Sequence, residues 1–410
     1  MLKKDNFFKN YFISSSKYKN NLKKAKKIFN SFLIDLKNNQ IPLLDSYEKN
    51  YEFDFSMTTV RKFSKYKNIV IIGMGGSILG TKSIYSFLEK KIKKKVFFFD
   101  NLDLNLNLKY RKIKNLKNSC FIVAGKSGRT IETIINLGTI FSKNLLKNKL
   151  IIIAEPTDNA LMTIANKYHA EVIEHKEFIS GRYSVLSETG MFPAALMGLN
   201  LIKFKNLTRL IKNKNFISIL IQNVACIYTL ISKKINNSVI LNYDSNLNNL
   251  GYWYQQLVAE SLGKKGKGIN PILSFGPKDH HSLLQLYLDG PKDKFFTFFN
   301  SSQKEDKIKV SQDIIPNNMR FLKNKNLRFI INAQCNAVKN IFKLKKIPFR
   351  QITFNKKNEE ELGEIFTFFV LETILLSRLM NINPFDQPAI EQVKIETKNI
   401  LKYKLSKNYF

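Results

Sequence analysis

The chain has 410 residues, of which 44% are hydrophobic, enough to form the cores of about two domains. Its formal net charge of +35 would attract polyanions such as nucleic acids. The lysines, however, are spread along the chain among Asn, Ile and Phe residues and form no single basic block. This distribution is typical of solvated surfaces, so we expect no nucleic-acid partner.

No apolar run reaches the ~20 residues that span a bilayer, and the N-terminus lacks the continuous apolar segment of a secretory signal. We therefore expect a cytoplasmic protein with no membrane partner. Cys120, Cys226 and Cys335 lie too far apart for a disulfide framework or for paired metal ligands, and the sequence has no His-Glu-x-x-His motif. We expect no metal site.

The predicted elements begin with a mostly helical, polar segment, with amphipathic spacing over residues 22–36 and a break at Pro42. From Asn68 the hydrophobic pattern changes to short, β-branched apolar runs, which are typical of strands buried on both faces. These runs cover residues 68–72, 96–99, 120–123 and 150–153. The segments between them are long enough for crossover helices, so the pattern predicts a parallel, doubly wound sheet.

The pattern restarts after a helical region near residues 195–230. Further strands are predicted at 239–241, 295–299 and 349–354, and helices up to about 262, at 333–346 and at 362–380. We therefore predict an α/β fold with two doubly wound α-β-α sandwich domains, mainly parallel sheets, N-terminal helices and a C-terminal helix. The predicted boundaries are an N-terminal helical segment packing on the body (1–65), two α/β domains (66–210 and 211–390) and the C-terminal helix (391–410).

A glycine-rich loop, Gly73-Met-Gly-Gly-Ser-Ile-Leu-Gly80, follows the first predicted strand and opens a helix. Glycines permit close backbone approach, the helix N-terminus offers N–H groups to a phosphate, and Ser77 would add a hydroxyl. A dinucleotide-binding fold competes with this interpretation, because Asp100 follows the next strand as a ribose-binding carboxylate should. The third glycine of that fingerprint, however, would fall at Ile78. A purely structural turn is the other alternative.

A second loop, Ala124-Gly-Lys-Ser-Gly-Arg-Thr-Ile-Glu-Thr133, also follows a strand and opens a helix. Lys126, Ser127 and Thr130 place a cation and two hydroxyls where backbone N–H groups converge, which suits phosphate oxygens. The spacing is not that of a Walker A motif. Two such loops after strands of one sheet favour phosphate binding more than either loop does alone.

Two later segments place a charged group close to a glycine. Arg182, in Ser180-Gly-Arg-Tyr-Ser-Val-Leu-Ser187, could stabilise an oxyanion by charge-assisted hydrogen bonds or form a surface salt bridge. Glu260, in Glu-Ser-Leu-Gly-Lys264, ends an amphipathic stretch. It could act as a general base in a dry pocket or be an exposed helix-terminal glutamate.

Two further segments offer proton-transfer groups. His280 and His281 are adjacent, so at most one should enter a given site; the alternative is a helix cap by Asp279 with both rings on the surface. Near the C-terminus, Gln387 lies in a predicted turn and Lys394 in the helix that follows. The alternative, which the segment alone favours, is an i, i+3 ion pair of the lysine with Glu391.

The order and the amino-acid sequences of these segments resemble those of the glucose-6-phosphate isomerase family, which has two sugar-isomerase domains. The resemblance runs from about residue 68 to 398. Its most specific segments are Gly-Arg-Tyr-Ser-Val-Leu-Ser (181–187), Glu-Ser-Leu-Gly-Lys (260–264), His-Ser-Leu-Leu-Gln-Leu (281–286) and Asp-Gln-Pro-Ala-Ile-Glu-Gln-Val-Lys (386–394). It implies interconversion of glucose 6-phosphate and fructose 6-phosphate in glycolysis and gluconeogenesis. The reaction would proceed by ring opening and proton transfer through a cis-enediol, without metal or cofactor.

The resemblance also implies individual roles. Glu260 matches the base that moves a proton between C2 and C1, and Arg182 the residue that stabilises the enediolate. His281 matches the ring-opening acid–base residue, and Lys394, in the C-terminal helix, the lysine that assists ring opening. The matches to substrate-contacting positions are Gly76, Ser77, Lys126, Ser127, Thr130, Gly181, Gln256 and Gln387. In the family the histidine comes from the partner subunit, which implies a homodimer with His281 contributed across the interface.

Two positions depart from the family pattern. Gly125 stands where many members have serine, and His280 replaces a common glutamine. Neither departure removes a catalytic group. The alternatives are a bifunctional phosphoglucose/phosphomannose isomerase, a non-catalytic sugar-phosphate sensor and, from the charge alone, a nucleic-acid-binding protein.

Overall fold

The first parallel sheet holds five strands in the order β2-β1-β3-β4-β5. The structure is a computed structural model that describes residue 8 and residues 15–113, 115–140, 149–302, 309–311 and 313–405. The strands are β1 (Asn68–Gly73), β2 (Lys95–Phe99), β3 (Ser119–Ala124), β4 (Leu150–Ala154) and β5 (Glu171–Glu174). The helices that follow β1 to β4 are α3 (Leu79–Leu88), α4 (Leu106–Arg111), α5 (Ile131–Ile140) and α6 (Ala160–Tyr168).

The strand order of this sheet reverses between β1 and β3. The chain passes from β1 to one side to form β2 and then crosses to the other side to form β3. Such a reversal opens a crevice at the carboxyl ends of the two strands, where α/β proteins bind ligands. Gly73 and Ala124, which begin the two glycine loops, are paired in register at that edge. Both loops therefore start side by side.

The second sheet repeats this arrangement with four parallel strands in the order β7-β6-β8-β9. The strands are β6 (Asn237–Asn242), β7 (Asn270–Phe275), β8 (Lys294–Ser301) and β9 (Phe349–Phe354). The helices around them are α11 (Asn248–Leu262), α12 (Leu284–Asp289), α13 (Leu327–Leu344) and α14 (Glu359–Met380). The predicted α/β fold with two mainly parallel sheets is thus confirmed, whereas the exact domain boundaries stay predictions.

The remaining helices lie before, between and after the two sheets. They are α1 (Ser16–Lys37), α2 (Met57–Ser64), α7 (Glu188–Leu196), α8 (Leu201–Phe204), α9 (Leu207–Lys212), α10 (Lys214–Ile231) and α15 (Ala389–Leu405). Helix α10 has the length and apolar character of a membrane span, but 61% of its residues are buried in the protein. It packs against α1 and α14, as a core helix does.

One hydrophobic core joins the two sheets. Side chains on alternate positions of β1, such as Ile69 and Ile71, enter a cluster that also contains Phe32 of α1, Phe299 of β8 and Phe366 of α14. The intervening positions of β1 face a separate cluster on the other side of the sheet, because successive strand side chains point to opposite faces. This double burial explains the uninterrupted apolar runs of the central strands.

Two strands, β5 and β7, were missed by the sequence analysis. Each is at an edge of its sheet and is less buried than the central strands. Strand β5 has only four residues, with a glutamate at each end, and β7 contains Pro271, which a central strand would exclude. An edge strand needs no continuous apolar run, so neither produced the expected pattern.

Candidate active site

The first glycine loop packs directly against the segment that carries Arg182. A Cβ atom added to Gly76 would lie 2.1 Å from the carbonyl carbon of Gly181, so only glycine permits this contact between two backbones. Gly75 has φ +52°, and a Cβ there would lie 2.8 Å from Nε2 of Gln256 on α11. The loop, the Arg182 segment and α11 therefore meet at the carboxyl end of β1, where Ser77 lies buried.

Arg182 is held in a short 3-10 helix, Gly181–Leu186, and is only 1% exposed. Its Nε donates to Ser261 Oγ (2.9 Å), and Nη2 donates to the carbonyl oxygens of Pro384 (2.5 Å) and Asp386 (2.9 Å). The remaining nitrogen, Nη1, donates to two side chains, Gln387 Oε1 (3.1 Å) and Glu260 Oε2 (3.4 Å).

These contacts use the five N–H donors of the guanidinium. Three of them fix the group to a buried hydroxyl and to backbone oxygens, whereas both partners of Nη1 are side chains that can rotate away. The cation is therefore fixed in position while one of its nitrogens can exchange partners.

Glu260 lies in the last turn of α11, and its side chain is 23% exposed. Its other carboxylate oxygen accepts a hydrogen bond of 2.9 Å from Nε2 of Gln256, one helical turn earlier. Oε1 of that glutamine is buried and has no hydrogen-bond partner among the described residues. A buried acceptor without a donor is costly. The Gln256 amide thus offers a free acceptor beside the Glu260 carboxylate.

The second glycine loop begins beside the first, but no hydrogen bond or ion pair joins it to Arg182 or Glu260 in the part of the chain that the structure describes. Lys126 Nζ donates to the Glu177 carbonyl oxygen (2.6 Å) and lies 3.6 Å from Glu155. Ser127 is exposed and Thr130 half-buried. The lysine and both hydroxyls follow the carboxyl end of β3 and are at least partly open to solvent.

The two adjacent histidines have different surroundings. His280 is half-buried, and its Nε2 lies 2.6 Å from the hydroxyl of Tyr243. Burial, and then the charge of His281, lower the pKa of His280. His281 is exposed, and no hydrogen bond of its ring is found among the described residues.

The structure therefore agrees only in part with the alternative in which Asp279 caps a helix and both rings are on the surface. The Asp279 carboxylate accepts from the Phe275 N–H (2.6 Å) and from the hydroxyls of Ser274 (2.8 Å) and Ser282 (3.1 Å). Burial opposes its ionisation, but these hydrogen bonds hold the pKa of Asp279 below its usual range. Only one of the two rings, that of His281, lies on the surface.

Lys394 lies apart from the Arg182–Glu260 pair. It is on α15, which is exposed along its described side chains, and its Nζ is 2.5 Å from Glu391 Oε1. This is the plain i, i+3 ion pair that the sequence allowed. Within a single chain, the structure thus brings together Gly76, Ser77, Gly181, Arg182, Gln256, Glu260 and Gln387, but shows no such contact for His281 or Lys394 among the described residues.

Sequence reasoning missed three residues that build this site, namely Tyr183, Ser261 and Lys264. Ser261 accepts from Arg182 and lies 2.8 Å from the Tyr183 hydroxyl, and Lys264 binds the loop that carries Gln387. All three lie inside the two motifs already singled out, and that proximity was the available signal. In the described ranges, no group of three or more His, Cys, Asp or Glu side chains is placed to hold a metal ion.

The fold and the site define a class: doubly wound α/β proteins with two parallel sheets and an arginine–glutamate pair beside a glycine loop. The family model described as phosphoglucose isomerase matches residues 58–409. The chain belongs to the phosphoglucose isomerase family.

Two relatives illustrate this membership. The glucose-6-phosphate isomerase of Methanocaldococcus jannaschii is 32% identical over 353 residues, which are 83% of this chain and 86% of the relative. That of Campylobacter jejuni is 30% identical over 363 residues, with 85% of this chain and 88% of the relative covered.

Solved structures agree on the fold. A hypothetical protein from Thermus thermophilus superposes with a TM-score of 0.84 at 20% identity, covering 98% of this chain and 100% of that one. A glucose-6-phosphate isomerase from Chlamydia trachomatis superposes with a TM-score of 0.68 at 18% identity, covering 86% of this chain and 72% of that one.

Proposed function

We propose that this protein interconverts glucose 6-phosphate and fructose 6-phosphate. The observation that carries the proposal is the pairing of a partly exposed carboxylate, Glu260, with a buried and fully hydrogen-bonded cation, Arg182, beside a glycine loop. Relatives that share about 30% of their residues over most of this chain bear the name glucose-6-phosphate isomerase. The reaction needs a base, a fixed cation and a phosphate grip, and the sequence has a candidate for each.

Proton transfer between C2 and C1 is assigned to Glu260. Removing a proton beside a carbonyl produces an enediolate, which a fixed positive charge stabilises more than water does. Nη1 of Arg182 suits this role, because a substrate oxygen can replace Gln387 or Glu260 on it while the rest of the guanidinium stays bound. No reorganisation of the cation is then needed during the reaction.

The phosphate is assigned to the two glycine loops, with Ser77, Lys126, Ser127 and Thr130 as its side-chain contacts. Binding a non-reacting anion at one end of the sugar positions C1 and C2 at the other end. Lys126 would exchange the Glu177 carbonyl oxygen for a phosphate oxygen. The exposed position of the loop supports this, since the bound phosphate would meet side chains that are open to solvent.

We further propose a homodimer. Ring opening needs an acid–base group, and neither His281 nor Lys394 contacts the Arg182–Glu260 pair within the described part of one chain. An exposed His281 is available to a second copy, which is consistent with a site completed by the partner's histidine. We also propose the cytoplasmic location that the sequence predicts.

A coupled assay tests the proposed reaction. Purified protein is given fructose 6-phosphate, and in parallel mannose 6-phosphate, while glucose 6-phosphate is detected by a coupling dehydrogenase. We expect rapid turnover of fructose 6-phosphate. Comparable turnover of mannose 6-phosphate would instead favour the bifunctional isomerase, and no turnover of either sugar would favour the non-catalytic sensor.

A further inference from the structure

In the loop between α14 and α15, four consecutive backbone carbonyl oxygens accept hydrogen bonds from side chains. After α14 the chain runs through residues 383–387, and each of the first four carbonyl oxygens accepts at least one side-chain hydrogen bond. The donors are Lys264 to Asn383 O, Arg182 and Tyr183 to Pro384 O, Ser180 to Phe385 O, and both Arg182 and Lys264 to Asp386 O. This loop, called the 383–387 loop below, carries Gln387.

Lys264 makes three hydrogen bonds to the 383–387 loop. Its Nζ donates to Asn383 O (2.5 Å), Asp386 O (2.6 Å) and Asp386 Oδ1 (2.6 Å), which accounts for all three ammonium protons. The Lys264 side chain is only 11% exposed, whereas that of Asp386 is 51% exposed. An ion pair with an exposed carboxylate contributes little by itself. The two backbone contacts are therefore the ones that matter.

The position of Lys264 is itself fixed by a tight turn. Its backbone N–H donates to Lys267 O (3.1 Å) and its carbonyl oxygen accepts from Lys267 N–H (2.9 Å). The two residues between them, Lys265 and Gly266, have φ of 53° and 67°, the conformation of a type I′ turn. This turn follows the helix end that carries Glu260, so the base and the Lys264 ammonium are linked through a short, rigid segment.

We infer that Lys264 is a positioning residue, which holds the 383–387 loop so that Gln387 and the carbonyl acceptors of Arg182 stay in place; this inference rests on the proposed isomerase function. Arg182 and Lys264 share Asp386 O, so one loop oxygen is held by two cations. Without the lysine, Asn383 O and the Asp386 carboxylate lose their only side-chain donors in the described part of the chain. The loop would then shift toward solvent, and Gln387 would leave Arg182 Nη1.

The test compares Lys264→Met with Lys267→Met. Both changes remove one charge from the same turn and keep the apolar stem, but Lys267 Nζ donates to Met380 O (3.0 Å), outside the loop. We expect Lys264→Met to lower kcat for fructose 6-phosphate about 10-fold or more with a smaller change in KM, and Lys267→Met to stay within about 2-fold. Equal effects of the two changes on kcat would overturn the inference.

A double-mutant cycle separates positioning from general destabilisation. If Lys264 acts through the loop, Lys264→Met should lower kcat less in a Gln387→Ala background than in the wild type, because the Gln387 amide, one of the groups it positions, is already gone. Additive losses would contradict this. Should Lys264→Met fail to fold, Lys264→Gln, which keeps an amide donor on a shorter stem, replaces it in the same cycle.

A measurement without substrate keeps this inference distinct from the proposed function. Hydrogen–deuterium exchange of the amides of residues 385–387 should be faster in Lys264→Met than in wild type, and unchanged in Lys267→Met. This result would stand even if the protein did not turn over fructose 6-phosphate. Unchanged exchange in Lys264→Met would overturn the positioning role whatever the activity.

Discussion

Arg182 and Glu260 form an ion pair in which the arginine is 1% exposed, the glutamate is 23% exposed, and Nη1 lies 3.4 Å from Oε2. The distance is longer than that of a strong charge-assisted hydrogen bond, about 2.7–2.9 Å. The contact is therefore weak enough to be exchanged for a substrate oxygen. The cation is fixed by the protein, and the Glu260 carboxylate can move.

Gly76→Ala should separate the glycine loop from the Arg182 segment. The new Cβ would lie 2.1 Å from a backbone carbon of Gly181, so the two backbones must move apart. We expect a loss of ~1–3 kcal/mol in the free energy of unfolding, as for other overpacked sites. We also expect turnover to fall about 100-fold, because the loop and the arginine are displaced relative to each other.

Gly138→Ala is the matched control for this change. Gly138 lies within α5, and a Cβ there would meet nothing within 4 Å. Alanine should leave activity unchanged and raise the free energy of unfolding by up to ~1 kcal/mol. Denaturant unfolding and the coupled assay measure both variants. Wild-type activity and stability in Gly76→Ala would show that the close contact has no role.

His280→Ala should mainly reduce stability, whereas His281→Ala should mainly reduce turnover. The first removes the partner of the buried Tyr243 hydroxyl and should cost ~1–3 kcal/mol of stability. The second changes an exposed side chain, so stability should stay within ~0.5 kcal/mol of wild type. Turnover of the closed-ring sugar should fall more in His281→Ala than in His280→Ala. Equal losses of turnover would void the choice of His281.

Mixed dimers test whether His281 acts across a subunit interface. Glu260→Gln and His281→Ala subunits are co-expressed with different tags, and the hybrid is purified. If the histidine crosses the interface, each hybrid has one native and one doubly changed site. Random pairing then restores about a quarter of wild-type activity in the mixture, and about half in the pure hybrid. A hybrid as inactive as its parents would place His281 and Glu260 in the same chain's site.

His175 should make stability depend on acidic pH. The residue is 1% exposed, and burial, assisted by the charge of Lys126, lowers its pKa from 6.5 to about 4. Between these values the unfolded chain binds a proton that the folded protein excludes, so stability falls as pH falls, by at most ~1.4 kcal/mol per pH unit. His175→Gln lacks this titration. The prediction would be contradicted if the free energy of unfolding depended on pH in the same way in both proteins over this range.

The central strands could be predicted because both faces are buried, which demands the uninterrupted apolar runs of β1, β3 and β4. Edge strands carry no such demand, and β5 and β7 were missed. In the candidate site, residue type and neighbouring glycines predicted roles for Arg182 and Glu260, and the structure places the two side chains together. The close contact of Gly76 with Gly181 could not be predicted, since it joins two backbones that sequence leaves about a hundred residues apart.

The hydrogen-bond acceptors of Arg182 could not be predicted from the sequence either. Three of its five acceptors are the Ser261 hydroxyl and the backbone oxygens of Pro384 and Asp386, and a carbonyl oxygen has no signature in a sequence. The motifs also could not show whether His281 and Lys394 reach the site, because that depends on tertiary and quaternary placement. Their roles stay predictions.

The most direct test of the central claim is the coupled assay of fructose 6-phosphate with wild type and Glu260→Gln side by side, with unfolding measured for both. The substitution keeps the side-chain shape and removes the proposed base. We predict rapid turnover by the wild type and a loss of about 100-fold or more in kcat for Glu260→Gln, with little change in the unfolding midpoint. Near-normal turnover by Glu260→Gln would contradict the account.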